Sequence, residues 1–151
     1  MSARALLDTN VLIYGQDVVD AGKHERAIDV MGEWAQSGQG ALSAQVLGEY
    51  LSVVSRKLAH VLDVRTAMEQ VKRFAQFFTV YDTTLDVVLE AARGMDTHGF
   101  SYYDAQIWAI ARLNGIPLVL SEDFTHGREV EGVRFENPFL DCDSGSANDR
   151  D

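Results

Sequence analysis

The stretch ALLDTNVLIYG, residues 5–15, runs apolar to Leu7, breaks into Asp8, Thr9 and Asn10, and turns apolar again from Val11. Two physical accounts fit that break. Asp, Thr and Asn are all good helix N-caps, whose side-chain oxygens take up the free N–H groups at the start of a short helix. Alternatively, residues 5–7 form a short buried strand, and Asp8 stands at its carboxyl end, where open α/β sheets bind their ligands. The rest of the chain decides how much weight each reading carries.

Downstream, strands and helices alternate. Residues 24–37 read as a helix, with Ala27, Ile28, Met31, Trp34 and Ala35 at helical spacing and Gly38 and Gly40 closing it. Residues 41–43 form a second strand, and a helix follows at once from Ala44 to near Leu58. Asp63 caps a helix running to near Phe77, with Ala67, Val71, Phe74 and Ala75 along one side. Residues 78–81 read as a third strand, 84–94 and 101–114 as helices, and Gly115-Ile116-Pro117 as a stop before a strand at 118–120. Residues 133–135 read as a last, edge strand. Short apolar strands separated by amphipathic helices predict a three-layer α/β/α domain around a mostly parallel sheet of about five strands.

The chain has 151 residues, 46% of them apolar and 24% charged, the size and make-up of one soluble globular domain. Its single cysteine, Cys142, forms no disulfide within the chain, and with four scattered histidines it supplies no zinc ligand set. No apolar run approaches the roughly 20 residues of a membrane span, and the first is interrupted by Asp8. A reducing cytoplasm is the expected compartment. Residues 1–140 are expected to form the domain. Residues 141–151, DCDSGSANDRD, read as an acidic, disordered tail, because Gly145 is misplaced for a calcium loop and no Glu closes one.

The formal net charge of −10 argues against a non-specific nucleic-acid binder, since Lys and Arg make most phosphate contacts. An acidic chain and a polyanionic substrate are reconciled if carboxylates are gathered in one place and neutralised there by a divalent cation. Four positions suggest such a gathering. Asp8 ends the first strand. Glu49 lies at the edge of the stripe formed by Val46, Leu47, Tyr50, Leu51, Val53, Val54 and Leu58. Asp104 completes an i, i+3, i+4, i+7 series with Ile107, Trp108 and Ala111, which puts a carboxylate on a core stripe. Asp123, in VLSEDFTHG, follows a strand's carboxyl end as Asp8 does.

Each position also has a plainer role. Ser101-x-x-Asp104 reads as an imperfect capping box, and Ser121 with Asp123 as a turn. Taken together, however, four carboxylates converging on one mouth of the sheet would repel one another and raise their pKa values without a cation. Oxygen-only ligands point to Mg²⁺ or Mn²⁺ rather than zinc.

The order of DTN at residues 8–10, Glu49 in SAQVLGEY, Asp104 in FSYYDAQIWAIA and SEDF at 121–124 resembles the PIN-domain ribonucleases, most closely bacterial toxins of the VapC type. The resemblance runs to Leu140 and takes in GVRFENPF. It implies a metal-dependent endoribonuclease, usually held in check by a cognate antitoxin protein, and a homodimer. Carried over to this chain, it makes Asp8, Glu49, Asp104 and Asp123 the catalytic acidic quartet, with Asp8, Asp104 and Asp123 as metal ligands and Asn10 and Ser121 in support. The chemistry implied is metal-assisted hydrolysis of an RNA phosphodiester. Glu122 is a candidate extra ligand or an exposed turn residue. Lys23, Arg56, Lys57 and Arg128 are candidate RNA-phosphate contacts, although solvated surface charge is the commoner role of such residues.

Two other readings compete. A haloacid-dehalogenase-type phosphatase also begins with a strand-end Asp, but needs a second Asp where this chain has Asn10. A non-catalytic PIN-like interaction module would have little reason to keep four mutually repelling carboxylates.

Overall fold

In the computed structural model, which describes residues 3–142, twelve elements follow in order. They are β1 (Ala5–Leu7), α1 (Thr9–Tyr14), α2 (Ala21–Ser37), β2 (Gly40–Ser43), α3 (Ala44–Lys57), α4 (Val64–Phe77), β3 (Thr79–Tyr81), α5 (Leu85–His98), α6 (Tyr102–Leu113), β4 (Leu118–Leu120), β5 (Glu129–Val130) and β6 (Val133–Glu136). The sheet order is β3-β2-β1-β4-β6-β5, with every pair parallel except β5 with β6. Helices flank this sheet in a three-layer α/β/α arrangement.

The strand order fixes where a site can form. From β1 the chain steps outward through β2 to β3, then returns to place β4 on the other side of β1. The connections therefore diverge between β1 and β4, and a crevice opens at their carboxyl ends. Asp8 directly follows β1, and Ser121 directly follows β4. Both strands are wholly apolar and, apart from the half-buried Leu118, buried, with Leu6, Leu7 and Val119 fully so, and the polar groups begin only where the strands stop.

Local chemistry sets the element ends. Asp63 Oδ1 accepts from Thr66 N at 2.7 Å and caps α4 as the sequence predicts. α2 starts at Ala21, earlier than expected, because Asp20 caps it by accepting from Lys23 N. α5 continues to His98, where Gly99 takes a left-handed conformation with φ 73° and ends it. α5 and α6 pack closely at Gly94, where a Cβ would meet the Trp108 ring at 2.7 Å. Trp108 is fully buried and donates from its indole N–H to Val130 O at 3.1 Å, tying α6 to β5.

The sheet has six strands rather than about five, and the edge differs from the expected one. β6 lies between β4 and β5, and the two-residue β5 forms that edge. The hairpin joining them turns at Glu131 (φ 50°) and Gly132 (φ 86°), a pair of left-handed residues that matches strand twist. Glu is an unusual residue at the first of those positions, and the hairpin is hard to see in the sequence for that reason. Of the tail expected at residues 141–151, Asp141 and Cys142 are described and continue a helical turn from Leu140, and residues 143–151 lie outside the described residues. No helix among the described residues is long and apolar enough to cross a membrane.

Candidate active site

Asp8 satisfies both readings of the opening stretch. It follows β1 at the switch point, and it is also the N-cap of the six-residue α1, accepting from Thr9 N at 2.8 Å. Its other oxygen, Oδ2, accepts a 2.7 Å hydrogen bond from Ser121 Oγ. Ser121 is fully buried, and its hydroxyl oxygen also accepts from Asn10 Nδ2 and from Asp123 N, each at 3.1 Å. One hydroxyl thus joins the residues after β1 to those after β4.

The other acidic positions come from separate helices. Glu49 on α3 accepts from the Thr9 hydroxyl and from Gln45 Nε2, both at 2.8 Å. Asp104 stands in the first turn of α6. Ser101, the N-cap of that helix, makes no side-chain cap bond, so the capping box read from Ser101 and Asp104 does not form. Asp123 accepts from Asn10 Nδ2 at 3.3 Å. A cavity of about 70 Å³ is lined by all four carboxylate residues, together with Ser43, Gln45, Val46, Tyr103, Gln106 and Ile107. Four segments far apart in sequence meet at this one cleft. A larger depression of about 840 Å³ along β3 and α5 contains none of them.

The electrostatics follow from that crowding. Burial pushes the Asp8 carboxyl up to about 6, and the charges of Asp123 and Glu49 add to it, against the bonds from Ser121 and Thr9. Asp123 is raised as well, first by burial and then by Asp104, Glu122 and Glu49, while the Asn10 bond works the other way. No Lys or Arg lines the cavity to offset the charge.

Such a site suits a hard divalent cation, since every carboxylate donor is an oxygen and the Asp8 and Asp123 carboxyls are pushed towards protonation. Among the described residues no three Asp, Glu, His or Cys side chains stand as a preformed metal cage. Mg²⁺ tolerates this, because it keeps several of its own waters and does not need an all-protein cage.

The other candidate residues are placed differently. Glu122 and Lys23 pair with each other at 3.1 Å, and neither lines the cavity. Arg56 and Lys57 occupy the last turn of α3, where Arg56 Nε donates to Ser52 O. Arg128 lies over the Phe100 ring. None of these cations lines the cavity. The structure adds residues that the sequence reading passed over: Thr9, which orients Glu49, and Gln45 and Gln106 on the cavity wall. Gln45 precedes Glu49 by one helical turn, and Gln106 is a buried amide within the apolar run of α6, so both left traces in the sequence.

A sequence profile of the PIN domain matches residues 5–128. No curated protein matches the chain in sequence. Among solved structures, the chain is similar to VapC20 of Mycobacterium tuberculosis, described as a toxin that cleaves the sarcin–ricin loop. The two are 26% identical over 86% of this chain and 98% of that one, with a TM-score of 0.65. It is also similar to a chain in the DNA-bound VapBC of Salmonella typhimurium, at 18% identity over 90% of this chain and 98% of that one (TM-score 0.65). A third is in VapBC2 of Rickettsia felis bound to a promoter DNA fragment, at 16% identity over 91% and 98% (TM-score 0.64). At those identities the last two speak to the fold alone.

Proposed function

The chain belongs to the PIN domain family, and from that premise we propose that it is a metal-dependent endoribonuclease, the toxin of a toxin–antitoxin pair. The observation that carries this reading is the cavity where Asp8, Glu49, Asp104 and Asp123 meet at the β1–β4 switch point. The likeness to VapC20, itself described as a toxin that cleaves the sarcin–ricin loop, supports it.

In this reading Asp8, Asp104 and Asp123 hold Mg²⁺ or Mn²⁺. When bound, the ion offsets charge developing on the phosphate and makes water a better nucleophile at neutral pH. The chain's own residues do the rest. Ser121 and the Thr9 N–H fix both oxygens of Asp8, and Asn10 steadies Asp123. Glu49, aimed by Thr9 and Gln45, accepts the proton of the attacking water. RNA phosphates are met outside the cleft, by cations such as Arg56, Lys57 and Arg128, because the cleft itself has none. A partner antitoxin covers the cleft, and the chain pairs as a homodimer in the cytoplasm.

The test is direct. The purified chain is incubated with structured RNA, including a sarcin–ricin stem-loop, in EDTA and in Mg²⁺ or Mn²⁺. Cleavage only with the divalent ion supports the reading. Equal cleavage in EDTA, or none under any condition, contradicts it. A monomeric mass by light scattering at micromolar concentration would remove the homodimer.

A further inference from the structure

Glu122 sits between Ser121 and Asp123, yet it takes no part in lining the acidic cavity. Tyr14 OH donates to its Oε1 at 2.7 Å, and Lys23 Nζ donates to its Oε2 at 3.1 Å. Lys23 also reaches Tyr14, with Nζ 3.4 Å from the phenol oxygen and 5.1 Å from the ring centroid. The Lys23 and Glu122 side chains are only 16% and 23% exposed, so water and salt screen the pair less than a surface bridge.

Three separate segments are joined in this way: the end of α1, the first turn of α2 and the turn after β4. Each is anchored elsewhere. The Tyr14 ring packs edge-on against Phe139 with centroids 5.0 Å apart, and its carbonyl meets His24 Nδ1 at 2.8 Å. Beyond Asp123, Phe124 stacks on Phe135 with centroids 4.1 Å apart. Residues 121–124 lie outside strand and helix: Ser121 N donates to Glu136 O of β6 at 3.0 Å, but the next amide, Glu122 N, reaches Asn10 Oδ1 only at 3.4 Å.

We propose that Tyr14, Lys23 and Glu122 form a clamp that positions the 121–124 turn, holding Ser121 and Asp123 in register with Asp8 and Asn10. All three are positioning residues, and the inference rests on the nuclease reading of the cavity. The physical basis is that charge-assisted hydrogen bonds are short and strong, and that a turn held at Glu122 leaves its two neighbours little freedom. Burial works against the charge of Lys23, but its bonds to Glu122 and Tyr14 outweigh that and hold it protonated. The Tyr14 phenol is shifted upward by burial and by Glu122, which keeps it a donor.

The experiment compares the parent with Lys23→Met, Lys23→Arg, Glu122→Gln, Tyr14→Phe and the Lys23→Met/Glu122→Gln double variant. Two readouts are taken: amide hydrogen exchange of Asp123, whose N–H donates to Ser121, and steady-state RNA cleavage in Mn²⁺. Lys23→Met and Glu122→Gln are expected to speed Asp123 exchange locally and to lower kcat by about 10–100-fold with KM little changed, the usual scale for residues that orient ligands. The double variant is expected to be no worse than either single one, since both break one unit. Lys23→Arg should retain most of the parental behaviour. Tyr14→Phe removes a bond without stranding a charge, so it should shift both readouts less, in the same direction, even where the charge variants fold poorly.

Parental exchange at Asp123 in both charge variants overturns the clamp. So does a Lys23→Met variant that only raises KM and flattens the salt dependence, which would make Lys23 an RNA contact. Faster exchange spread over the whole chain, with kcat per folded molecule unchanged, overturns it as mere scaffolding. If the parent cuts no RNA, the nuclease reading fails, and Asp123 exchange still decides whether the clamp holds the turn.

Discussion

Ser121 Oγ donates to Asp8 Oδ2 across 2.7 Å, although the two residues stand 113 positions apart in the chain. That bond closes the switch point between β1 and β4, and the same hydroxyl receives Asn10 and the Asp123 N–H. A single buried oxygen therefore sets the mutual placement of two of the four carboxylates.

Ser121→Ala should accordingly cost more than an ordinary surface change. It leaves a carboxylate oxygen, an amide N–H and a backbone N–H short of a partner, at about 1–3 kcal/mol for the unmet polar groups. Chemical denaturation measures that loss. RNA cleavage should fall with it, and a variant with parental stability and activity would show that Ser121 organises nothing.

The raised pKa of Asp8 makes the metal-free protein pH-dependent in a defined sense. With a folded value of about 6 against an ordinary 3.8, the folded chain binds more protons than the unfolded chain between those values. Stability in EDTA should therefore fall as pH rises from about 4 to 6 and then level off, by on the order of 1–3 kcal/mol. Asp8→Asn should flatten that slope. Melting curves across the window check both, and a variant with the parental slope would place the titration elsewhere.

Added Mg²⁺ or Mn²⁺ should raise the melting temperature, because a ligand that binds only the folded state stabilises it by about 1.4 kcal/mol at tenfold excess over Kd. The gain should grow as pH rises through 6, where the proton on Asp8 no longer competes. Zinc should not be needed. Saturating Mg²⁺ and Mn²⁺ that both leave the melting temperature unchanged would contradict a shared cation site.

Much of the frame was readable because it is local. The apolar runs of β1 and β4, the stripe of α3 and the capped start of α4 are each written in a few consecutive residues. Asp104 was conspicuous because it interrupts an apolar periodicity. The relationships that organise the cleft are not local. Ser121 with Asp8, Thr9 with Glu49, and Tyr14 with Glu122 depend on which strands become neighbours, and no spacing along the chain encodes that. The early start of α2 is hard to read because Gly22, a poor helix former, sits just after the cap at Asp20 and masks it. Lys23 reads as a surface cation because its pairing with Glu122 is not local and arrives only with the turn after β4.

The central claim, that the acidic cleft hydrolyses RNA, is tested most directly by Asp104→Asn. Asn keeps the shape of Asp and its ability to sit in a first helical turn, so a purely structural Asp104 predicts a cost of about 0.5–1 kcal/mol and parental cleavage. As a metal ligand it predicts the opposite on both counts. Relief of repulsion on Asp8, Glu49 and Asp123 should leave the mutant in EDTA as stable as the parent or slightly more so. Cleavage in Mg²⁺ or Mn²⁺ should fall by about two orders of magnitude or more, the scale on which a lost electrostatic contact to a developing charge is felt. The measurement is the rate of cleavage of a structured RNA by parent and Asp104→Asn in the divalent ion, with melting curves in EDTA alongside. A folded mutant that has lost cleavage is the predicted result, and a mutant that cuts at the parental rate would contradict the account.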